Sequence, residues 1–340
     1  MKSRERVHNT LDRKPVDRIP YSLDMTSRIF NKLAAHYGIL PEDLNEFLGN
    51  DLHYFWPDDR AQWPEPGTMI DIFGVVWDRS EKQKDIGDWG AIMRTPLSAP
   101  CLEGYSFPSG RDPKLFAGFD IEAMKAQDRF AIMGVTGLLD ICWHLRGFEN
   151  YMEDMAGEED FAARLMDCAL EYLLDLVGSM PDGADAVRVD EDWGLQRGLV
   201  MNPSMWRKYL KPRLRVLYGA IRRKGLRVMI HTCGDITDIF PDIIEIGVEA
   251  VNAIQPEAMD VAFLQREYGN DITMYGGVGS QSVLVYGSPR DVLAQINERL
   301  RTFESGGYIL APSGAIPTDA PIGNVAAFAD FCLSMNRKAD

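Results

Sequence analysis

Short β-like runs alternate with longer helical patterns through the last two-thirds of this 340-residue chain, and that alternation restricts the fold more than any other feature. Strand, helix and strand in succession return to one sheet as parallel βαβ units. The runs are Phe130-Ala-Ile-Met-Gly-Val-Thr136, Ala186-Val-Arg-Val-Asp190, Arg227 to His231, Ala250-Val-Asn-Ala-Ile254, Ile272-Thr-Met-Tyr275 and Tyr308-Ile-Leu-Ala311. Between them lie segments such as Pro289 to Phe303, with Val292, Leu293, Ile296 and Leu300 at helical spacing. Ser204 to Arg222 opens on Asn202-Pro203, a helix start signal. Adding Arg18-Ile-Pro-Tyr-Ser-Leu-Asp24 as a first strand, and a poorly defined one near Met69 to Trp77, puts eight strands within reach. The expectation is an α/β fold, a (β/α)8 TIM barrel forming a single domain over residues 1–340, with its site on the loops after the strands.

Gly49 to Asp120 breaks the alternation. It holds Trp56, Trp63, Trp77 and Trp89 among many Pro and Gly residues. We expect an irregular insertion after the first strand that covers the barrel mouth as a lid, the alternative being plain packing on the barrel wall.

The formal net charge of -15 argues against nucleic-acid binding and against strongly anionic substrates. The first residues lack the apolar core of a signal peptide, and no apolar run is long enough to span a bilayer, so a cytoplasmic protein is expected. Five cysteines, an odd count at wide spacing, do not make a disulfide framework. Cys142, Cys168 and Cys332 sit among apolar residues in helix-like stretches, and Cys101 stands in a loop. Only Cys233 has a chemical setting.

That setting is His231-Thr-Cys233-Gly234, at the tip of the run Leu226-Arg-Val-Met-Ile230. Residues two apart on an extended strand share a face, so the imidazole and thiolate can converge on one ion of zinc-like softness. A buried thiol beside a hydrogen-bonded histidine is the competing reading. The other strand ends are polar as well: Asp24 with Arg28 a turn later, Asp190-Glu191-Asp192 with Gln196, Gln255 with Glu257, Tyr275 with its following glycines, and Ser313. On a closed barrel these tips share one rim. We therefore take Asp190, Glu191 and Asp192 as candidate catalytic acids or bases, and Asp24, Arg28, Gln196, Gln255, Tyr275 and Ser313 as candidate substrate contacts. The candidate metal ligands are His231 and Cys233, completed by a carboxylate from Glu257, Asp235 or the Asp190 to Asp192 run.

His231-Thr-Cys-Gly-Asp235, the Asp190 to Gln196 stretch with Asn202-Pro-Ser-Met-Trp206, and Gly306-Gly-Tyr-Ile-Leu-Ala-Pro312 to Asn324 resemble the uroporphyrinogen decarboxylase superfamily. They are most similar to its cobamide-dependent methyltransferase branch, and Gln255-Pro-Glu-Ala-Met-Asp260 resembles its O-demethylase-type members. The resemblance implies a TIM barrel and zinc on the His-x-Cys pair plus a later cysteine, at whose place this chain has Gly314. It further implies a methyltransferase that moves a methyl group from a small donor, aromatic and oxygen-linked, to the cobalt of a corrinoid (cobalamin) carried by a separate partner protein. A homodimer is left open. Two alternatives remain: a decarboxylase of a polycarboxylate, for which only Arg28 and Arg188 stand near the mouth, and an inert ligand-binding barrel.

Overall fold

Each long strand is an aliphatic run ended by a polar residue. In the computed structural model, which describes residues 1–80, 90–120, 124, 126 and 128–339, these runs lie side by side. In chain order the strands are β1 (Leu52–Phe55), β2 (Gln62–Glu65), β3 (Thr68–Ile70), β4 (Val76–Asp78), β5 (Ala91–Arg94), β6 (Phe130–Thr136), β7 (Ala186–Asp190), β8 (Gly194–Leu195), β9 (Gly198–Leu199), β10 (Arg227–His231), β11 (Ala250–Ile254), β12 (Thr273–Val278) and β13 (Tyr308–Pro312). The helices are α1 (Ser3–Leu11), α2 (Ser27–Tyr37), α3 (Pro41–Leu48), α4 (Leu138–Arg146), α5 (Phe148–Gly157), α6 (Glu159–Ser179), α7 (Pro203–Tyr209), α8 (Lys211–Arg223), α9 (Phe240–Glu245), α10 (Val261–Tyr268), α11 (Val283–Tyr286), α12 (Pro289–Thr302) and α13 (Ile322–Ala339).

Strands β1, β6, β7, β10, β11, β12 and β13 form one curled parallel sheet in that order. Residues 20–22 bridge its two edges. Leu310 N donates to Pro20 O at 2.9 Å and Ser22 N to Leu310 O at 3.0 Å, while Asp51 N donates to Tyr21 O at 3.0 Å. The result is a TIM-like barrel. Inside it, Leu52, Phe130, Ile132, Ala186, Met229, Ala250, Tyr275, Ile309 and Ala311 pack with Val7 of α1. Helix α1 therefore plugs the N-terminal end, where Arg4 and Arg6 pair with Asp185 and Asp51 just ahead of β7 and β1. The alternate residues Val187, Val189, Val228, Ile230 and Val251 face outward into the helical layer. Helix starts follow their sequence signals: Asn202 accepts from Ser204 N ahead of α7, and Ser288 with Asp291 forms a capping box on α12.

Two expectations fail in the first third. The second barrel strand is Leu52–Phe55, inside the stretch assigned to the insertion, and not the Met69 to Trp77 run. Four residues with only two inward side chains leave too short a pattern to stand out against its neighbours. Nor is the segment after β1 irregular throughout: β2 to β5 form a four-stranded antiparallel sheet in which Met69 pairs with Trp77, while residues 95–120 carry only a short 3-10 turn at Pro113–Phe116. Trp77 is buried there, and its Nε1 donates to Asp71 at 2.9 Å. Trp89 lies outside the described residues. Among the described residues no helix is long and apolar enough to cross a membrane.

Candidate metal centre and barrel mouth

The inward faces are apolar at the base of the barrel and polar at the strand tips. Register places Thr136 beside Asp190, Asp190 beside His231, and His231 beside Asn252, so four neighbouring strands contribute to one polar layer, three of them with their last residue. One layer down, Arg188 reaches up to Asp190 with Nε to Oδ1 at 2.7 Å and Nη2 to Oδ2 at 2.6 Å. Its guanidinium also lies 4.3 Å from the ring centre of Tyr54. Asp24 opens onto the same mouth. Desolvation raises its carboxyl above the ordinary range and Asp190 adds to this, while Arg188 and His231 pull it back.

The tip of β10 carries the chemistry. His231 Nε2 and Cys233 Sγ are 3.7 Å apart, and with a carboxylate oxygen of Asp192 the three donor atoms all lie within 4.8 Å of one another. Asp192 arrives from the loop after β7 and is held by Cys233 N, which donates to its Oδ1 at 2.8 Å. His231 Nδ1 lies 2.6 Å from Asn252 Oδ1, and Asn252 Nδ2 donates to Tyr275 O at 3.4 Å. The amide is thus oriented with its oxygen toward the ring. An amide oxygen only accepts, so Nδ1 carries the proton and Nε2 presents a lone pair toward Cys233.

These donors fit zinc. They comprise a neutral imidazole of fixed tautomer, a thiolate and a carboxylate, with a fourth position left for substrate. Charge sets a condition on that fit. Burial pushes the Cys233 thiol up, and Asp192, Asp140 and Asp190 push it further, so a thiolate here calls for a compensating cation. Because Asn252 sets the tautomer, Asn252→Leu is expected to weaken zinc binding about 10–100-fold. Competition against a zinc chelator would measure this, and an unchanged affinity would remove Asn252 from the site.

Not every expected residue joins the cluster. Glu257 is engaged elsewhere: its Oε1 accepts from Ser282 Oγ at 2.5 Å and from Gln281 N at 3.1 Å. Asp235 caps the turn after it, accepting from Thr237 N at 3.0 Å. At Gly314 the backbone has φ 123°, which side-chain-bearing residues rarely adopt, so a third ligand there would be strained. Glu191 is buried beneath the mouth and not in it, with Oε2 accepting from Leu139 N at 2.7 Å at the start of α4. Burial pushes its carboxyl up to about 7. It reads as a helix-capping group, whereas Asp190 and Asp192 do face the mouth.

Of the expected substrate contacts, Gln255, Tyr275 and Ser313 are buried and act as wall. Gln255 Oε1 accepts from Gly234 N at 3.0 Å, Tyr275 shares a 2.8 Å hydroxyl contact with Tyr54, and Ser313 Oγ accepts from Ser280 N at 2.9 Å. Gln196 ties the rim together through a 2.7 Å bond to Gln281. Arg28 sits half-buried in the first turn of α2. Sequence reasoning missed Asn252 and Asp140. Asp140 Oδ1 accepts from Trp143 Nε1 at 2.9 Å and from Asp192 N at 3.4 Å. Its place in the first turn after a barrel strand was the available signal; Asn252 gave none, being one polar residue within a strand.

Beside the mouth, the tip of β6, helices α4 and α6 and the antiparallel sheet enclose a chamber of about 390 Å³, whose lining includes Trp56, Phe73, Trp77, Thr136, His144 and Tyr172. Trp56 lies flat on β6, where a Cβ on Gly134 would stand 2.6 Å from its ring. Trp63, by contrast, is exposed on β2. Enclosure by protein lowers the His144 pKa to about 3. The unfolded chain therefore takes up a proton near pH 6.5 that the folded chain refuses, so stability present above about pH 6.5 is lost as the pH falls toward 3. The loss by pH 5 should be about 2 kcal/mol, and His144→Phe should abolish that part of it. Urea titrations of both proteins at pH 7 and pH 5 check this; parallel losses would refute it.

A parallel α/β barrel with an imidazole, a thiol and a carboxylate gathered at its C-terminal rim is a recognisable class of enzyme scaffold. The uroporphyrinogen decarboxylase (URO-D) family matches residues 121–335, and the chain belongs to that family. The methylcobamide:CoM methyltransferase MtbA of Methanosarcina acetivorans is 20% identical over 329 residues, covering 95% of each chain. The protein of the same name from Methanosarcina mazei is 21% identical over 334 residues, again covering 95% of each. Among solved structures, a methyltransferase from Methanosarcina mazei matches with a TM-score of 0.75 at 18% identity and 99% coverage of both chains. A B12-independent methionine synthase from Shewanella matches at 0.53 with 10% identity, covering 94% of this chain and 96% of that one. At these identities the solved structures speak for the fold.

Proposed function

We propose that this chain is a cytoplasmic methyltransferase that moves a methyl group between a small molecule and the cobalt of a corrinoid held by a separate protein. The observation that carries the reading is the convergence of Asp192, His231 and Cys233 at the barrel rim. Asp192, His231 and Cys233 would hold zinc, which supplies Lewis acidity toward the atom that loses or receives the methyl group. The chain's own residues do the rest. Asn252 keeps the proton on His231 Nδ1, Arg188 fixes Asp190 against the barrel wall, and Asp24 and Asp190 offer carboxylates to orient the substrate. One thiolate with one carboxylate makes a harder centre than a two-thiolate site, which suits an oxygen-linked methyl donor, and the aromatic residues beside the mouth suit an aryl one.

The names of the relatives favour a second direction through the same site. They are methylcobamide:CoM methyltransferases, and a thiol would then accept the methyl group from the corrinoid. Decarboxylation of a polycarboxylate suits the mouth less well: Arg188 is already committed to Asp190 through a two-point contact, and Asp192 stands beside the ring of His231. An inert barrel would have no use for a histidine held in one tautomer beside a thiol.

The test incubates the protein with cob(I)alamin and a panel of phenyl methyl ethers, methylamines and methylthiols, and in the reverse direction offers methylcobalamin with thiols. Absorbance reports methylcobalamin. Formation from aryl ethers is expected; turnover only in the thiol-methylating direction would support the second reading, and none in either direction would end both.

A further inference from the structure

The metal-ligand cluster leaves the aromatic chamber beside the mouth unused. We propose that this chamber binds the aryl part of the methyl donor and that His144 is a specificity residue, hydrogen-bonding an uncharged phenolic oxygen; this rests on the methyl-transfer reading above. Four aromatic residues, Trp56, Phe73, Trp77 and Tyr172, line a space of about 390 Å³, a volume suited to a single-ring ligand. Among the described residues neither ring nitrogen of His144 has a hydrogen-bond partner. The imidazole is held between Trp77, 4.9 Å away, and Trp143, 4.1 Å away, both edge-on. A ring so fixed, on the chamber lining and with no hydrogen bond of its own, can offer a nitrogen to a polar atom of a ligand. It remains neutral at physiological pH, so it can both donate and accept.

Charge narrows the ligand class. Among the described residues no lysine or arginine lines the chamber, and Asp58, Asp59 and Asp71 do, which disfavours an anion. Asp71 offers no free counter-charge to a cation, since Trp77 Nε1, Phe73 N and Val75 N all donate to it. A neutral ring fits best. Position fits as well. Thr136 lies two strands from His231 in the same layer, about 10 Å at the usual strand spacing. His144 is one helical turn from Asp140, which touches Asp192. The chamber and the cluster are thus neighbours along α4.

The test is calorimetric binding of 2-methoxyphenol, 4-methoxybenzoate and tetramethylammonium to the full chain and to three variants. 2-Methoxyphenol should bind at least tenfold tighter than the other two. His144→Phe should weaken it about tenfold, His144→Gln should restore most of the loss, and Ile72→Trp, which fills the chamber from its loop side, should block it. Equal affinity in all variants, or tighter binding of tetramethylammonium, would overturn the proposal. The two readings separate cleanly. Binding that depends on His144, with no methyl transfer from any donor, would remove the reaction and keep the chamber. Aryl-ether demethylation with unchanged kcat and KM in Ile72→Trp would remove the chamber and keep the reaction.

Discussion

Cys233→Ser should strip most of the zinc and lower methyl transfer by on the order of a hundredfold or more. A serine hydroxyl does not ionise near neutral pH, so an imidazole and one carboxylate would be left to hold the ion. Cys142 and Cys332 provide the control. Both are fully buried among apolar helical residues, and serine at either should cost only about 1–3 kcal/mol of stability, from burying a more polar group, with zinc content unchanged. Parallel metal analysis and methylcobalamin assays of the three variants decide the matter. If Cys233→Ser keeps both metal and rate, the thiolate is not a ligand.

Arg188→Met should be the most destabilising single change at the mouth, by about 3–5 kcal/mol. The guanidinium side chain is 7% exposed and the Asp190 carboxylate 19%, and the two share a two-point contact inside the barrel. Removing the cation leaves Asp190 facing Asp24 and the cluster carboxylates with nothing to offset it. The double change Arg188→Met with Asp190→Asn should recover a large part of the loss, because the stranded charge disappears. Urea unfolding midpoints measure both effects, and coincident curves for wild type and Arg188→Met would show that the pair contributes nothing net.

The later strands were legible because parallel barrel strands are buried on both faces and read as unbroken aliphatic runs. Polar residues at their tips made the rim legible for the same reason: the change from Ile230 to His231 marks where core ends and mouth begins. The first third was not. The Tyr21 segment carries Pro20 and joins the barrel through isolated bridges, and β1 spans only Leu52–Phe55. Within the site, His231 and Cys233 could be paired because two-residue spacing on a strand is local information. Which carboxylate joins them depends on how the loop after β7 folds back on β10, a long-range matter. The sequence reading set Glu257 with the metal pair and Asp192 among the catalytic acids, whereas it is Asp192 that lies with His231 and Cys233, held by Cys233 N. Asn252 was silent because a buried amide on a strand shows its purpose only when its partner across the ladder is known.

On the proposed reading, the chemistry of the rim depends on one thiolate, one imidazole and one carboxylate of this chain sharing a zinc ion. X-ray absorption at the zinc edge of protein purified without chelator reads that coordination shell itself. About one zinc per chain is expected, with a single sulfur neighbour near 2.3 Å and the remaining neighbours nitrogen or oxygen near 2.0–2.2 Å. Two sulfur neighbours, or a shell without sulfur, would contradict it.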